Sequence, residues 1–425
     1  MYSIAFFENR EKEMSLLNNI KDTIVHFRRG IWDLFLKFVS VFINPLPDQI
    51  AFIPHGGMYG NSYDLCNYKS DNSLVLLIYM LRRYGNHFSY RLACDSRQFS
   101  DIEKYIKDNY PNIDLSCVHF FGPNSFHWKT YKELMKSKYI FTCEGYNLPF
   151  KRRCHKVVFL SYFKPFKDDY KHQQSMKINS FENLFDLCIS PSSIYSNIVA
   201  HTYGVSFSKF VSLGFSRDDM LLSEYNCPQL EKVINTSVDY EVKKVLLYTP
   251  THRDYERQST EKRDLLGFSV DQERFESYLR SNGILIICKL HTQQNSSVVD
   301  CSLKGVVLHD STEDYGLCEL LQRADCLMTD YTSTYFDYLL LDRPVIFNFY
   351  DYERYYQTRG FSFDPLDPIL AGDIVNDELS FYDKMNKIIE GRDDYKQHRK
   401  YVRDLMHKYI DTDSSKRICD YVFNN

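Results

Sequence analysis

Apolar residues fall in short runs separated by longer stretches of mixed character, the rhythm of strands alternating with helices. In the first half Gln49–Pro54, Ser89–Cys94, Cys117–Phe121, Lys138–Thr142, Lys156–Ser161 and Phe185–Ser190 read as strands, with Leu74–Arg83 and Ile102–Asn109 as helices among them. In the second half Lys244–Tyr248, Ile284–Leu290, Gly305–His309, Ala324–Met328 and Val345–Phe349 are strands and Tyr315–Arg323 is a helix. Many of these runs are continuously apolar rather than alternating, so both faces must be covered, as in parallel sheets. The spacing is β-α-β throughout and predicts an α/β fold in two halves. Leu222–Val242 is polar and mixed and reads as the connection between them. Asn9–Ile43 reads as mainly helix, broken at Gly30 and closed by Pro45 and Pro47, and Phe381–Tyr409 as largely helical. The predicted division is a helical segment 1–47, a first domain 48–225 and a second domain 240–425.

Composition narrows the function classes. With 425 residues, Lys+Arg 52 against Asp+Glu 56 and a formal net charge of -4, nothing in the overall field calls for nucleic acid. Aromatics at 16%, with Gly 16 and Pro 13, argue for densely packed folded domains. The 12 cysteines lie singly, without C-x-x-C or metal-ligand spacing, which predicts free thiols in a reducing compartment, no metal and no cofactor. No signal-peptide pattern and no window of membrane-spanning length is seen. The segment Ile31–Ile43, preceded by Arg28 and Arg29, has two readings. It is either an amphipathic helix packed on the first domain, or an interfacial one presenting Trp32, Phe35, Leu36 and Val39 to lipid.

Candidate chemistry concentrates in Ala324–Phe361. The apolar run Ala324–Met328 stops at Thr329-Asp330, and Thr332, Ser333 and Thr334 stand at the start of a helix that ends before Pro344. Hydroxyls and unpaired N–H groups at a helix start form a place where anions bind, and Arg359-Gly360 could bring a cation to the same mouth. A plain capped helix with a surface arginine fits the same pattern. At another strand end, Thr251, His252 and Arg253 offer a hydroxyl, an imidazole and a guanidinium, at the edge where α/β sheets bind ligands.

The stretch TDYTSTYFDYLLLDRPVIFNFYDYERYYQTRGF resembles the hallmark segment of the CDP-glycerol glycerophosphotransferase family, the teichoic-acid and capsule polymerases and primases. Tyr248–Asp254 is similar to the family's Y-x-P-T-x-R-D, Lys289-Leu290-His291 to its K-x-H-P, and Gly214, Arg217 and Asp219 to its G-x-P-R-x-D-x-L. The resemblance implies a GT-B-like fold, two Rossmann-like domains with a cleft between them. It implies a CDP-polyol donor in the second domain, a glycan or lipid-linked acceptor on the first, and attack of an acceptor hydroxyl on the β-phosphate with CMP leaving. His291 and Arg253 would be catalytic, with Thr251, Asp330, Thr332, Ser333, Thr334, Arg359 and Gly360 around the donor.

On the acceptor side the family's W-H-G-x-P-L-K aligns with Ser161–Lys167, where Pro165 and Lys167 match. Tyr162 replaces the histidine regarded as the acceptor base, and a phenol with a reference pKa near 10 is poorly matched to that work. His55, at a strand end beside Gly56-Gly57, is the preferred substitute, ahead of His155 and His172; Gly57, Asn72, Tyr162 and Lys167 complete the acceptor side. The implied setting is the cytoplasmic face of the membrane, with the protein bound peripherally. Two other readings stand beside this one: a GT-B glycosyltransferase using a nucleotide sugar, and a scaffold subunit of capsule assembly.

Overall fold

Five consecutive apolar residues leave no polar face, and Ile284–Cys288 accordingly forms a strand with all five residues buried, covered on both sides of its sheet. The structure is a computed structural model. It describes residues 27–54, 69–122, 127–146, 148–161, 165–168, 181–251, 253, 263–290, 299–300, 302–309, 313 and 315–424. Strands β1 (Leu46–Ile53), β2 (Ser89–Ala93), β3 (Val118–Phe121), β4 (Ser137–Thr142), β5 (Lys156–Phe159), β6 (Leu187–Ser190) and β7 (Phe210–Ser212) form one parallel sheet in the order 3-2-1-4-5-6-7. In the second half come β8 (Lys244–Thr249), β9 (Arg263–Asp264), β10 (Ile284–Cys288), β11 (Val299–Asp300), β12 (Val306–Leu308), β13 (Cys326–Thr329), β14 (Val345–Asn348) and β15 (Asp373–Val375). Six of these make a second parallel sheet, ordered 12-10-8-13-14-15, while β9 pairs with β11. Each sheet reverses direction beside its first strand, between β1 and β4 and between β8 and β13, the place where doubly wound sheets open a crevice at the carboxyl ends of the strands.

The helix starts follow local chemistry. Asp71 caps the helix Asn72–Tyr84 by accepting from the Ser73 N–H at 2.7 Å, and Ser192 does the same for Ser193–Tyr203. Elsewhere the structure departs from the sequence reading. The three-residue strands β7 and β15 were not anticipated, being too short to show a pattern. Leu222–Val242 is more than a connection: it contains the helix Pro228–Thr236, whose Leu230 and Ile234 are buried in the second core. The chain's last helix, Ser414–Asn424, does not belong with the second half. Ile418, Cys419 and Val422 pack into the core of the first sheet, and Asp219 takes the N–H groups of Ser414 and Ser415, both at 2.7 Å. Phe166 crosses the other way, from the first half into the second core.

The helix over 27–40 lies on the first domain, with Leu36 fully buried and Trp32 edge-on to Tyr131 of the helix Trp128–Lys136. The face named from the sequence is therefore largely the inward one. The outward stripe is Phe27, Ile31, Leu34, Phe38, Val41 and Phe42, each more than half exposed.

His155, one of the proposed substitute bases, is a buried structural residue. Its Nδ1 accepts from the Arg152 N–H at 3.1 Å, so Nε2 carries the proton and donates to the Met135 carbonyl at 3.0 Å. Burial holds its pKa below the ordinary value. The unfolded chain protonates near about 6.5 and the folded chain only lower, so the folded state binds fewer protons there and stability falls as pH drops below about 6.5. His155→Asn, which keeps one acceptor and one donor, should flatten that dependence in urea denaturation compared at about pH 5 and about pH 7.

Candidate active site

The carboxyl ends of β8 and β13 lie side by side, with Thr249 opposite Thr329, and their exit loops are clasped by one arginine. The Arg253 Nη1 donates to Asp330 Oδ2 at 2.7 Å and to the Thr251 carbonyl at 2.8 Å; Nε and Nη2 donate to the two oxygens of Asp351, beyond the end of β14, at 2.6 and 2.9 Å. The guanidinium lies 4.9 Å from the centroid of Tyr331 and 5.1 Å from that of Tyr355, and these two rings stack 4.0 Å apart. Tyr331 also donates its hydroxyl to Asp351 at 3.0 Å. Burial works against the charge on Arg253, but Asp330 and Asp351 outweigh it and push the pKa up. The side chain has no exposed surface.

Arg253, expected among the catalytic residues, has its guanidinium turned onto protein groups, where it ties three strand exits together. Asp330 is fully buried and accepts from Arg253, from the Thr251 N–H at 2.9 Å and from the Tyr331 N–H at 2.6 Å, so it shapes the loop after β13. Asp351 was missed, although an acid directly after a strand end, seven residues before Thr358-Arg359-Gly360, is the partner a buried arginine requires.

Around this clasp stand the hydroxyls. Thr251 is buried, and its Oγ1 has no hydrogen-bond partner among the described residues. Thr332 and Ser333 are half-buried, and Thr332 Oγ1 accepts from the Thr334 N–H at 3.4 Å, so Thr332 caps the short helix Thr334–Tyr338 while Ser333 makes no side-chain cap. Arg359 is half-buried at the end of the helix Tyr352–Thr358. Gly360 follows with φ +72°, a conformation that costs glycine little and other residues more.

The acceptor-side loop comes to the same place. Lys167 pairs with Phe361 in an isolated antiparallel bridge, the Asp168 N–H donates to the Gly360 carbonyl at 3.1 Å, and the Ser362 N–H donates to the Phe166 carbonyl at 2.9 Å. Ser362 Oγ adds a bond to the Lys167 carbonyl at 2.6 Å. Phe166 packs on Phe336 and Phe361 across the seam. Lys167, Arg359 and Gly360, singled out in different halves of the sequence, are thus brought together. Asn72 is not open to an acceptor: it is buried, and its amide is bonded to Leu160, Ser161 and Arg217. His291, His55, Gly57 and Tyr162 lie outside the described residues, as does His172.

If Arg253 acts as a clasp, Arg253→Ala should lower the unfolding free energy by about 3–5 kcal/mol, because Asp330 and Asp351 are left buried without compensation. Denaturant unfolding measures this; a variant as stable as wild type would return Arg253 to a ligand-binding role.

Residues 83–424 match the family described as CDP-Glycerol:Poly(glycerophosphate) glycerophosphotransferase. The chain is 26% identical over 332 residues to the teichoic acid glycerol-phosphate primase of Bacillus subtilis (strain 168), covering 75% of this chain and 82% of that protein. It is 27% identical over 450 residues to the teichoic acid poly(glycerol phosphate) polymerase of Staphylococcus epidermidis, covering 96% of this chain but only 58% of the polymerase. The solved structure of the wall teichoic acid polymerase TagF superposes with a TM-score of 0.69 at 19% identity over 96% of both chains, a likeness of fold that bears out the GT-B architecture. With the match running through both sheets and their seam, the chain belongs to the CDP-glycerol:poly(glycerophosphate) glycerophosphotransferase family.

Proposed function

We propose that this enzyme transfers a polyol phosphate from a CDP-linked donor to a hydroxyl of a glycan or lipid-linked acceptor at the seam between its two domains. The observation that carries the reading is the bridge between Lys167 and Phe361, which sets the acceptor-side loop against the segment holding Arg359 and Gly360. An acceptor oxygen attacks the β-phosphorus, the bond from that phosphorus to the bridging oxygen breaks, and CMP leaves with the electron pair. Charge spreads over the phosphate oxygens in such a step, and fixed donors aimed at them lower the barrier. Thr251, with its unpartnered hydroxyl, Thr332 and Ser333 are the donors on the second domain, and Arg359 is the cation. His291 joins them on the family's pattern, and His55 is the proposed acceptor base in place of Tyr162.

Arg359→Ala should lose about 1.5–3 kcal/mol of donor binding, the worth of one charge-assisted phosphate contact, with Thr251→Val losing about 0.5–1.5 kcal/mol. CMP release from CDP-glycerol and CDP-ribitol, run beside UDP-sugars, is the measurement; turnover of a UDP-sugar in place of any CDP-polyol would transfer the assignment to a glycosyltransferase.

Membrane binding belongs to the same reading. Among the described residues no helix is long and apolar enough to cross a membrane. The outward stripe of the helix over 27–40 and its exit is apolar, however, and exposed Arg28, Arg29 and Lys37 flank it. The neighbouring helix Trp128–Lys136 adds exposed Lys129 and Lys132. Apolar area beside basic groups is what an anionic lipid surface attracts. An Ile31→Ser, Leu34→Ser, Phe38→Ser triple variant should lose flotation with anionic vesicles while keeping its thermal stability. Equal flotation of variant and wild type would remove this stripe as the anchor.

A further inference from the structure

A continuous line of buried hydrogen bonds runs from the root of the acceptor-side loop to the donor-side helix. It begins at Ser161, whose φ of 58° is left-handed although the residue carries a side chain. Such a conformation persists where neighbours dictate it. Asn72 does so, its Nδ2 donating to the Leu160 carbonyl at 3.1 Å and to the Ser161 carbonyl at 2.8 Å. The Oδ1 of the same amide accepts from the Arg217 N–H at 3.1 Å. The Arg217 Nη2 then spans the domain seam and donates to both oxygens of Asp337, at 3.0 and 3.1 Å. Asp337 sits in the helix Thr334–Tyr338, immediately after the hydroxyl residues Thr332 and Ser333.

Every member is withdrawn from solvent: Ser161 and Asn72 are buried, and the Arg217 and Asp337 side chains are 12% and 8% exposed. Burying an ion pair gives little net stability compared with apolar packing of the same volume, so cohesion of the two domains is a poor account of it. Hydrogen bonds are directional where apolar contacts are not, and this line fixes an orientation. One end sets the backbone that launches the acceptor-side loop, and the other is anchored on the helix Thr334–Tyr338 of the donor domain.

We propose that Asn72, Arg217 and Asp337 are positioning residues that hold the acceptor-side loop in register with the donor phosphate, so that the acceptor oxygen meets the phosphorus in line. The proposal rests on the polyol-phosphate transfer reading. None of the three touches a reacting atom; each acts through the main chain at Ser161 or through the helix at Thr334.

The test uses the full chain and three conservative variants, Asn72→Ser, Arg217→Lys and Asp337→Asn. CDP-glycerol binding is measured by calorimetry. CMP release is followed with a vesicle-borne lipid ending in glycerol phosphate as acceptor, and without acceptor, where water takes the phosphoryl group. Misplacing reacting groups by about 1 Å costs on the order of a hundredfold, so acceptor-dependent kcat should fall about tenfold to a hundredfold while the CDP-glycerol Kd stays within about twofold. Release to water should change far less than transfer. The Asn72→Ser, Asp337→Asn double variant should lose little more than the worse single one, since both break one line.

Parallel loss of donor binding and turnover, or equal loss of transfer and release to water, would overturn the proposal by showing a general packing defect. Multiplicative losses in the double variant would overturn it too. Thermal melts identify a variant that fails to fold. Asp337→Asn keeps the size and shape of the side chain and carries the test if Arg217→Lys is lost. A wild-type enzyme that neither binds nor turns over a CDP-polyol would bring down the functional reading itself, an outcome separate from all of these.

Discussion

A charge taken out of water is the constraint on which the second domain depends. Arg253 has no exposed side-chain surface, and a lone buried guanidinium would cost several kcal/mol. Two carboxylates from different strand exits and two stacked tyrosines remove that cost only if all arrive together. The loops after β8, β13 and β14 therefore have one mutually consistent arrangement. Thr251, Thr332 and the helix leading to Arg359 inherit their places from it. A site made of loops gains in this way the fixity that catalysis by oriented dipoles requires.

Much of the fold was legible because burial on both faces writes itself as continuous apolar runs. ILIIC at Ile284–Cys288 and IAFI at Ile50–Ile53 within β1 carry that signal plainly. Where the signal is a packing partner rather than a period, it was not legible. Leu230 and Ile234 sit in a stretch that looks polar, and Ile418 and Val422 choose the distant first core over the nearer second one. The candidate site shows the same split. Motifs far apart in sequence singled out Lys167 on one side and Arg359 and Gly360 on the other, and the fold brings these segments to one seam. Motif matching could not distinguish an arginine that faces a phosphate from one that clasps two aspartates, because that difference lies in which acids the fold brings near Arg253.

The contact of the acceptor-side segment Phe166–Asp168 with the second domain is built largely of main chain. The pairing of Lys167 with Phe361 and the bonds from Asp168 to Gly360 and from Ser362 to Phe166 use backbone groups. Such bonds survive side-chain replacement, so the seat of Phe166–Asp168 on the second domain does not depend on which side chains Lys167, Asp168 and Gly360–Ser362 carry. Phe166 supplies a deep side-chain anchor there, buried in the second core beside Phe336 and Phe361.

The return of the last helix to the first core has a mechanical consequence. The chain passes from the first domain to the second after the helix Ser216–Leu222 and comes back before Ser414, and Asp219 binds the N–H groups of Ser414 and Ser415, so the two crossings run side by side. A single tether lets one body swivel freely about the other, whereas two adjacent tethers tied together resist twisting more than bending. Were the halves to move relative to one another, paired tethers at Asp219 and Ser414 would favour a clam-like opening over a twist. A motion of that kind separates the facing strand ends without scrambling which residues meet again on closure.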